Sequence, residues 1–111
     1  MKLTSRQVAF LKALAHDQKP VILLGRKGIT DGVVAETQSA LLIHELIKVR
    51  LATEEPDGLD DEALAMAQKT GAALVERRGK VAILYRPRRE EPSIVLPKEP
   101  RAPKGPKASE A

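Results

Sequence analysis

Six of the chain's eight prolines fall in residues 86 to 111, at Pro87, Pro92, Pro97, Pro100, Pro103 and Pro106. Proline fixes φ and has no backbone N–H, so a stretch interrupted this often builds neither a regular helix nor a central strand. The hydrophobic core must therefore come from residues 1 to 87, enough for one compact domain and too few for two. The 42% apolar content is almost entirely aliphatic, because Phe10 and Tyr85 are the only aromatic residues. That excludes a base-stacking platform made of Phe, Tyr or Trp rings. The absence of cysteine excludes disulfides, thiolate metal sites and a cysteine nucleophile. No apolar run approaches the roughly 18 residues of a membrane span, and Met1 to Arg6 lead into an amphipathic segment instead of a secretory one. A soluble cytoplasmic protein without a membrane partner is expected.

The formal charge is +4, and its distribution matters more than its size. Residues 86 to 111 hold 7 basic and 4 acidic residues, or +3, which leaves 12 − 11 = +1 for residues 1 to 85. A basic surface on the domain must come from placement. Lys98, Arg101, Lys104 and Lys107, spaced by prolines, read as an extended arm, so residues 88 to 111 are expected to be a Pro/Lys-rich disordered tail. Ile94, Val95 and Leu96 are a candidate docked segment before the arm begins.

Within the domain, Thr4 and Gln7 form a capping-box pattern, with Leu3 and Val8 at the staple positions around it. A helix follows, ending near His16. Val21 to Leu24 is a continuous apolar run of strand length, expected to be covered on both faces. Thr30 and Asp31 supply a cap and a first-turn acid for a second helix. Ile47, Val49 and Leu51 alternate with Lys48 and Arg50, the period of a half-buried strand with a basic outer face. Asp57 is a candidate cap for a third helix ending at Gly71, and two strands flank a turn at Arg78 and Gly79. The order α-β-α-β-α-β-β is an α/β fold with a mixed four-stranded sheet, since the first strand–helix–strand crossover implies parallel pairing.

The chemically distinctive element is Gly25-Arg26-Lys27-Gly28, between the first strand and the second helix. Two glycines let backbone approach a sugar–phosphate chain without a β-carbon in the way. Arg26 and Lys27 add a planar fork and a flexible point charge, and the helix N-terminus beyond favours an anion. An alternative is that both glycines merely satisfy a tight turn. Lys48 and Arg50 share one strand face and are either a phosphate track or a solvated surface. Lys19 is a candidate flank to the loop under the same two readings.

Three segments in register carry a family resemblance: the basic GxxG loop Gly25 to Gly28, His44-Glu45-Leu46-Ile47-Lys48-Val49, and Leu84-Tyr85-Arg86-Pro87. Over residues 2 to 87 the chain resembles the YhbY-like, or CRM (chloroplast RNA splicing and ribosome maturation), RNA-binding domain. The resemblance implies a fold like the C-terminal domain of translation initiation factor 3 and RNA binding through the loop and adjoining basic surface. For stand-alone bacterial members it implies association with ribosomal RNA in large-subunit precursors.

Other chemistry finds little support. The run Glu54, Glu55, Asp57, Asp60, Asp61 and Glu62 lacks the ligand alternation of a calcium loop and reads as an acid-rich helix start. His16 and His44 are helix-end residues. Neither nucleotide-loop nor triad motifs occur, so a non-catalytic protein without metal, cofactor or small-molecule substrate is expected. The rival expectation is a protein-interaction adaptor that uses the Pro/Lys-rich tail.

Overall fold

The structure, a computed structural model, describes residues 2–97. The elements are α1 (Ser5–Ala15), β1 (Ile22–Leu23), α2 (Asp31–His44), β2 (Leu46–Arg50), α3 (Pro56–Thr70), β3 (Ala73–Arg78) and β4 (Val81–Tyr85). Three helices thus pack on a mixed four-stranded sheet of order β1-β2-β4-β3. β1 pairs parallel to β2, whereas β4 runs antiparallel to both β2 and β3.

Strand alternation divides the core between two faces. Ile47 and Val49 of β2 join Ile22, Leu41, Met66 and Leu84 in a cluster beneath α2 and α3. Leu46 and the β4 residues Ile83 and Tyr85 pack instead with Leu11 and Ala15 of α1. Each fully buried aliphatic side chain contributes about 1.5 to 3 kcal/mol of transfer free energy. Two buried hydroxyls within the helices are satisfied locally: Thr37 Oγ1 donates to Val33 O and Thr70 Oγ1 to Met66 O, both at 2.7 Å, the back-bonding by which threonine tolerates a helix interior.

The capping box at Thr4 and the αL position of Gly71 (φ 75°) lie where the sequence places them. Three local expectations need correction. β1 is a two-residue edge strand, not a strand covered on both faces: Val21 and Leu23 are 48% and 66% exposed, because α1 stops short of that edge. α3 begins with Pro56 at its first turn after Glu55, and Asp57 is a first-turn residue instead of its cap; proline's fixed φ suits that position. The β3–β4 turn is Gly79 and Lys80, one residue later than expected, with Gly79 at φ 58°.

The acidic run is dispersed into structural tasks. Glu54 meets Lys80 at 3.1 Å and Asp60 pairs with Arg77. Glu62 Oε1 accepts from Ala52 N and Thr53 N at 3.0 Å each, which fixes the connection between β2 and α3.

A buried carboxylate joins the chain's later residues to the domain. Glu45, between α2 and β2, is fully buried and has φ 62°. Its Oε2 accepts from Arg88 N at 2.8 Å. Oε1 accepts from Ser93 N and Oγ at 2.8 Å and from Ile94 N at 2.9 Å. Burial pushes its pKa up, but these donors outweigh burial and hold it below its ordinary value. Arg88 Nη1 also donates to the carbonyls of Leu42 and Ile43 at 3.0 Å, closing the end of α2. Ile94 and Leu96 then pack against the α1 cluster, and Gln7 Nε2 donates to Pro97 O at 3.3 Å. The boundary expected at residue 87 thus falls inside a strap that reaches from α2 to the start of α1. Lys98, Arg101, Lys104 and Lys107 lie outside the described residues.

Candidate nucleic-acid interface

β1 ends where Leu24 N donates to Arg50 O at 2.9 Å. The chain then turns back sharply: Gly28 N donates to Gly25 O at 2.9 Å, and the two glycines form an isolated antiparallel bridge. Arg26 and Lys27 occupy the tip, both exposed. Thr30 Oγ1 accepts from Val33 N at 3.1 Å and starts α2 two residues after the turn. The loop therefore sits beside a helix N-terminus, whose partial positive charge is offset by Asp31 in the first turn.

The two glycines are not equivalent. Gly28 has φ 69°, a conformation that side chains with a β-carbon adopt at a cost, so the turn itself accounts for it. Gly25 has no positive φ, and a β-carbon built on it would meet nothing within 4 Å. The fold does not require glycine there. Gly28→Ala should accordingly cost on the order of 1 kcal/mol of stability, whereas Gly25→Ala should leave the thermal midpoint within about a degree of wild type or raise it slightly. Thermal unfolding of the two variants checks this.

Most basic side chains elsewhere in the domain are engaged within it. Lys12 meets Glu76 at 2.8 Å. Arg77 and Lys80 hold the acidic partners named above, and Arg86 and Arg88 donate to carbonyls at the ends of α3 and α2. The side chains of Arg26, Lys27 and Arg50, by contrast, form no hydrogen bond or ion pair with another described residue. Arg50 pairs with Leu23 on one side and Val81 on the other, at the same end of the sheet as the loop.

Lys48 and Lys19 lie farther along. Lys48 Nζ donates to Gln18 O at 2.9 Å and His16 O at 3.3 Å, tying the end of α1 to β2. This lysine is a structural tether as well as a surface cation. Lys19 is exposed in the connection just after that tether. The structure thus groups Arg26, Lys27 and Arg50 at one end of β1, and Lys19 with Lys48 at the other. His44 is exposed at the end of α2.

One cation of this surface was not singled out from the sequence. Arg78 pairs with Val81 in the β3–β4 ladder, and Val81 pairs with Arg50. Leu23, Arg50, Val81 and Arg78 therefore form one row across all four strands on the α1 side. The Arg78 side chain is 82% exposed, with only a 3.9 Å approach to Glu76. The signal existed in the alternation of β3, but a register shift between Leu74 and Glu76 changes the face of every later residue, which period-two counting misses.

The Glu45 network explains why two of the sequence motifs occur together. Leu46 pairs with Tyr85 across the β2–β4 ladder, and Arg86 N donates to Glu45 O at 2.9 Å. The segments 44–49 and 84–87 are thus one structural junction. Burial, then the Glu45 charge, raises the pKa of Tyr85.

Comparison with known proteins fits this geometry. The model of the CRS1 / YhbY (CRM) domain matches residues 3–86. A Haemophilus influenzae protein named RNA-binding protein is 43% identical over 97 residues, 87% of this chain and 97% of that one. Probable RNA-binding protein YqeI of Bacillus subtilis is 32% identical over 95 residues, 86% of this chain and 99% of its own length. The solution structure of SAV1595 from Staphylococcus aureus matches with a TM-score of 0.76 at 30% identity, covering 86% of this chain and all of the other. With a family model spanning the whole domain and relatives covered nearly end to end, this chain belongs to the CRS1 / YhbY (CRM) domain family.

Proposed function

We propose that this chain is a non-catalytic, cytoplasmic RNA-binding protein that holds large-subunit ribosomal RNA during ribosome assembly. The observation that carries the reading is the Gly25–Gly28 turn, which presents two unengaged cations beside a glycine that the fold does not need. A missing β-carbon at an exposed position is useful where another backbone comes close, and a sugar–phosphate chain is such a backbone. Arg26 and Lys27 would donate to phosphates at the turn, Arg50 would extend the track along the sheet end, and Lys19 with the remaining ammonium hydrogen of Lys48 would meet a more distant phosphate. The names of the bacterial relatives support RNA as the ligand class. Contacts of this kind record the shape of a folded RNA more than its base sequence.

Gradient sedimentation of cell extract at low salt tests the ribosomal part of the reading. The protein should travel with large-subunit precursors and leave that fraction when salt is raised. Migration only with free protein at low salt would overturn it.

A further inference from the structure

We infer that the groove between the end of α1 and the sheet is a pocket for one unstacked nucleotide, with Val81 and Ile83 under the base and His16 and Arg78 as its flat walls. This rests on the RNA-binding reading above and adds to it a site for a base, which the loop does not supply. The groove has a volume of about 640 Å³, and Ala13 and Pro20 complete its apolar lining. It exists because α1 ends at Ala15 and leaves Val81, at the start of β4, half-buried.

The walls follow from the ladder. His16 stands over β2, where its carbonyl accepts from Lys48 Nζ at 3.3 Å. Arg78 rises from β3, two strands away, on the order of 10 Å across the sheet, with β4 between. Side chains reaching in from these two positions can close on a single heterocycle from either side, and imidazole and guanidinium are the two flat groups besides Phe, Tyr and Trp that stack on bases. His16 is exposed, and among the described residues the only ion pair of Arg78 is the 3.9 Å approach to Glu76, so neither is held away from an incoming ring.

The charge around the groove fits a nucleotide better than a neutral apolar ligand. Among the described residues, Lys12, Lys48 and Arg78 line it against one carboxylate, Glu76, which Lys12 already neutralises at 2.8 Å. The pocket is also continuous with the loop surface, since Val81 lies between Arg78 and Arg50 in one row of the sheet. A strand of RNA whose phosphates follow Arg26, Lys27 and Arg50 can place a splayed base over Val81.

The test is a backbone amide NMR titration of the full chain with adenosine 5′-monophosphate, and in parallel with ribose 5-phosphate, which carries the same phosphate without a base. The nucleotide should shift the amides of Ala13, His16, Arg78, Val81 and Ile83, and ribose 5-phosphate should bind at least tenfold more weakly. Arg78→Ala and Arg78→Lys should both weaken nucleotide binding by about tenfold, because lysine keeps the charge and loses the plane. Equal binding of the two ligands, or full retention in Arg78→Lys, would reduce the groove to an anion site and overturn the inference. So would the absence of shifts in the groove. Large-subunit ribosomal RNA titrated by filter binding separates the two readings: RNA that binds while the nucleotide leaves the groove unshifted overturns the pocket alone, whereas RNA that does not bind overturns the RNA-binding reading.

Discussion

Replacing Glu45 with alanine is expected to destabilise the protein by about 2 to 4 kcal/mol, the largest single-residue effect anticipated. The buried carboxylate accepts from three backbone N–H groups and one hydroxyl. Removing it leaves those donors either buried without acceptors or hydrated at the cost of peeling residues 88–96 from the domain. Peeling limits the loss, because water then replaces the carboxylate. It also exposes the apolar surface that Ile94 and Leu96 cover. The loss is a large fraction of the roughly 5 to 15 kcal/mol that holds a domain folded, and chemical denaturation measures it directly.

The same group gives the protein a pH signature. Because folding lowers the pKa of Glu45, its contribution is complete above the ordinary carboxylate range and is lost as pH falls through the depressed folded value. Wild type should therefore lose more stability than Glu45→Ala between neutral and strongly acidic pH, and the two stabilities should converge. Parallel curves for the two proteins would show that the carboxylate does not hold the strap.

The second large effect is on binding. Arg26→Ala together with Lys27→Ala should weaken affinity for large-subunit ribosomal RNA by about 25 to 60-fold at 0.1 M salt. Each cation that neutralises one phosphate contributes about 0.7 to 0.9 to the slope of log affinity against log salt, hence the same amount to log affinity at that concentration. Thermal stability should change by less than about 0.5 kcal/mol, since both residues are exposed at a turn tip without described partners. Gly25→Ala should weaken binding with equally little effect on folding.

Much of the fold could be read from the sequence because its signals are local. The capping box at Thr4, the cap at Thr30 and the left-handed glycine at Gly71 are each set by a few neighbouring residues. The period-two pattern of β2 gave its strand, yet not its partners. Strand order depends on which apolar faces meet, and nothing near residue 46 in the sequence announces pairing with residue 85. The glycines and cations of the loop stand in the sequence, whereas the distinction between Gly25 and Gly28 required the backbone angles and the surrounding space. Lys48 looked like a free surface cation, and only the fold brings the carbonyls of His16 and Gln18 within its reach. Glu45 was hidden most completely. A carboxylate next to a helix end reads as solvated, and its partners lie more than 40 residues away.

The central claim, that the Gly25–Gly28 turn grips RNA through its phosphates, is tested most directly by the salt dependence of binding. Affinity of the wild type and of the Arg26→Ala, Lys27→Ala variant for large-subunit ribosomal RNA is measured from low to moderate salt. The variant's slope should be smaller by about 1.4 to 1.8, because two phosphates are no longer neutralised by the protein. An unchanged slope, with affinity equal to wild type across the range, would contradict the claim and leave the turn as a structural connection only.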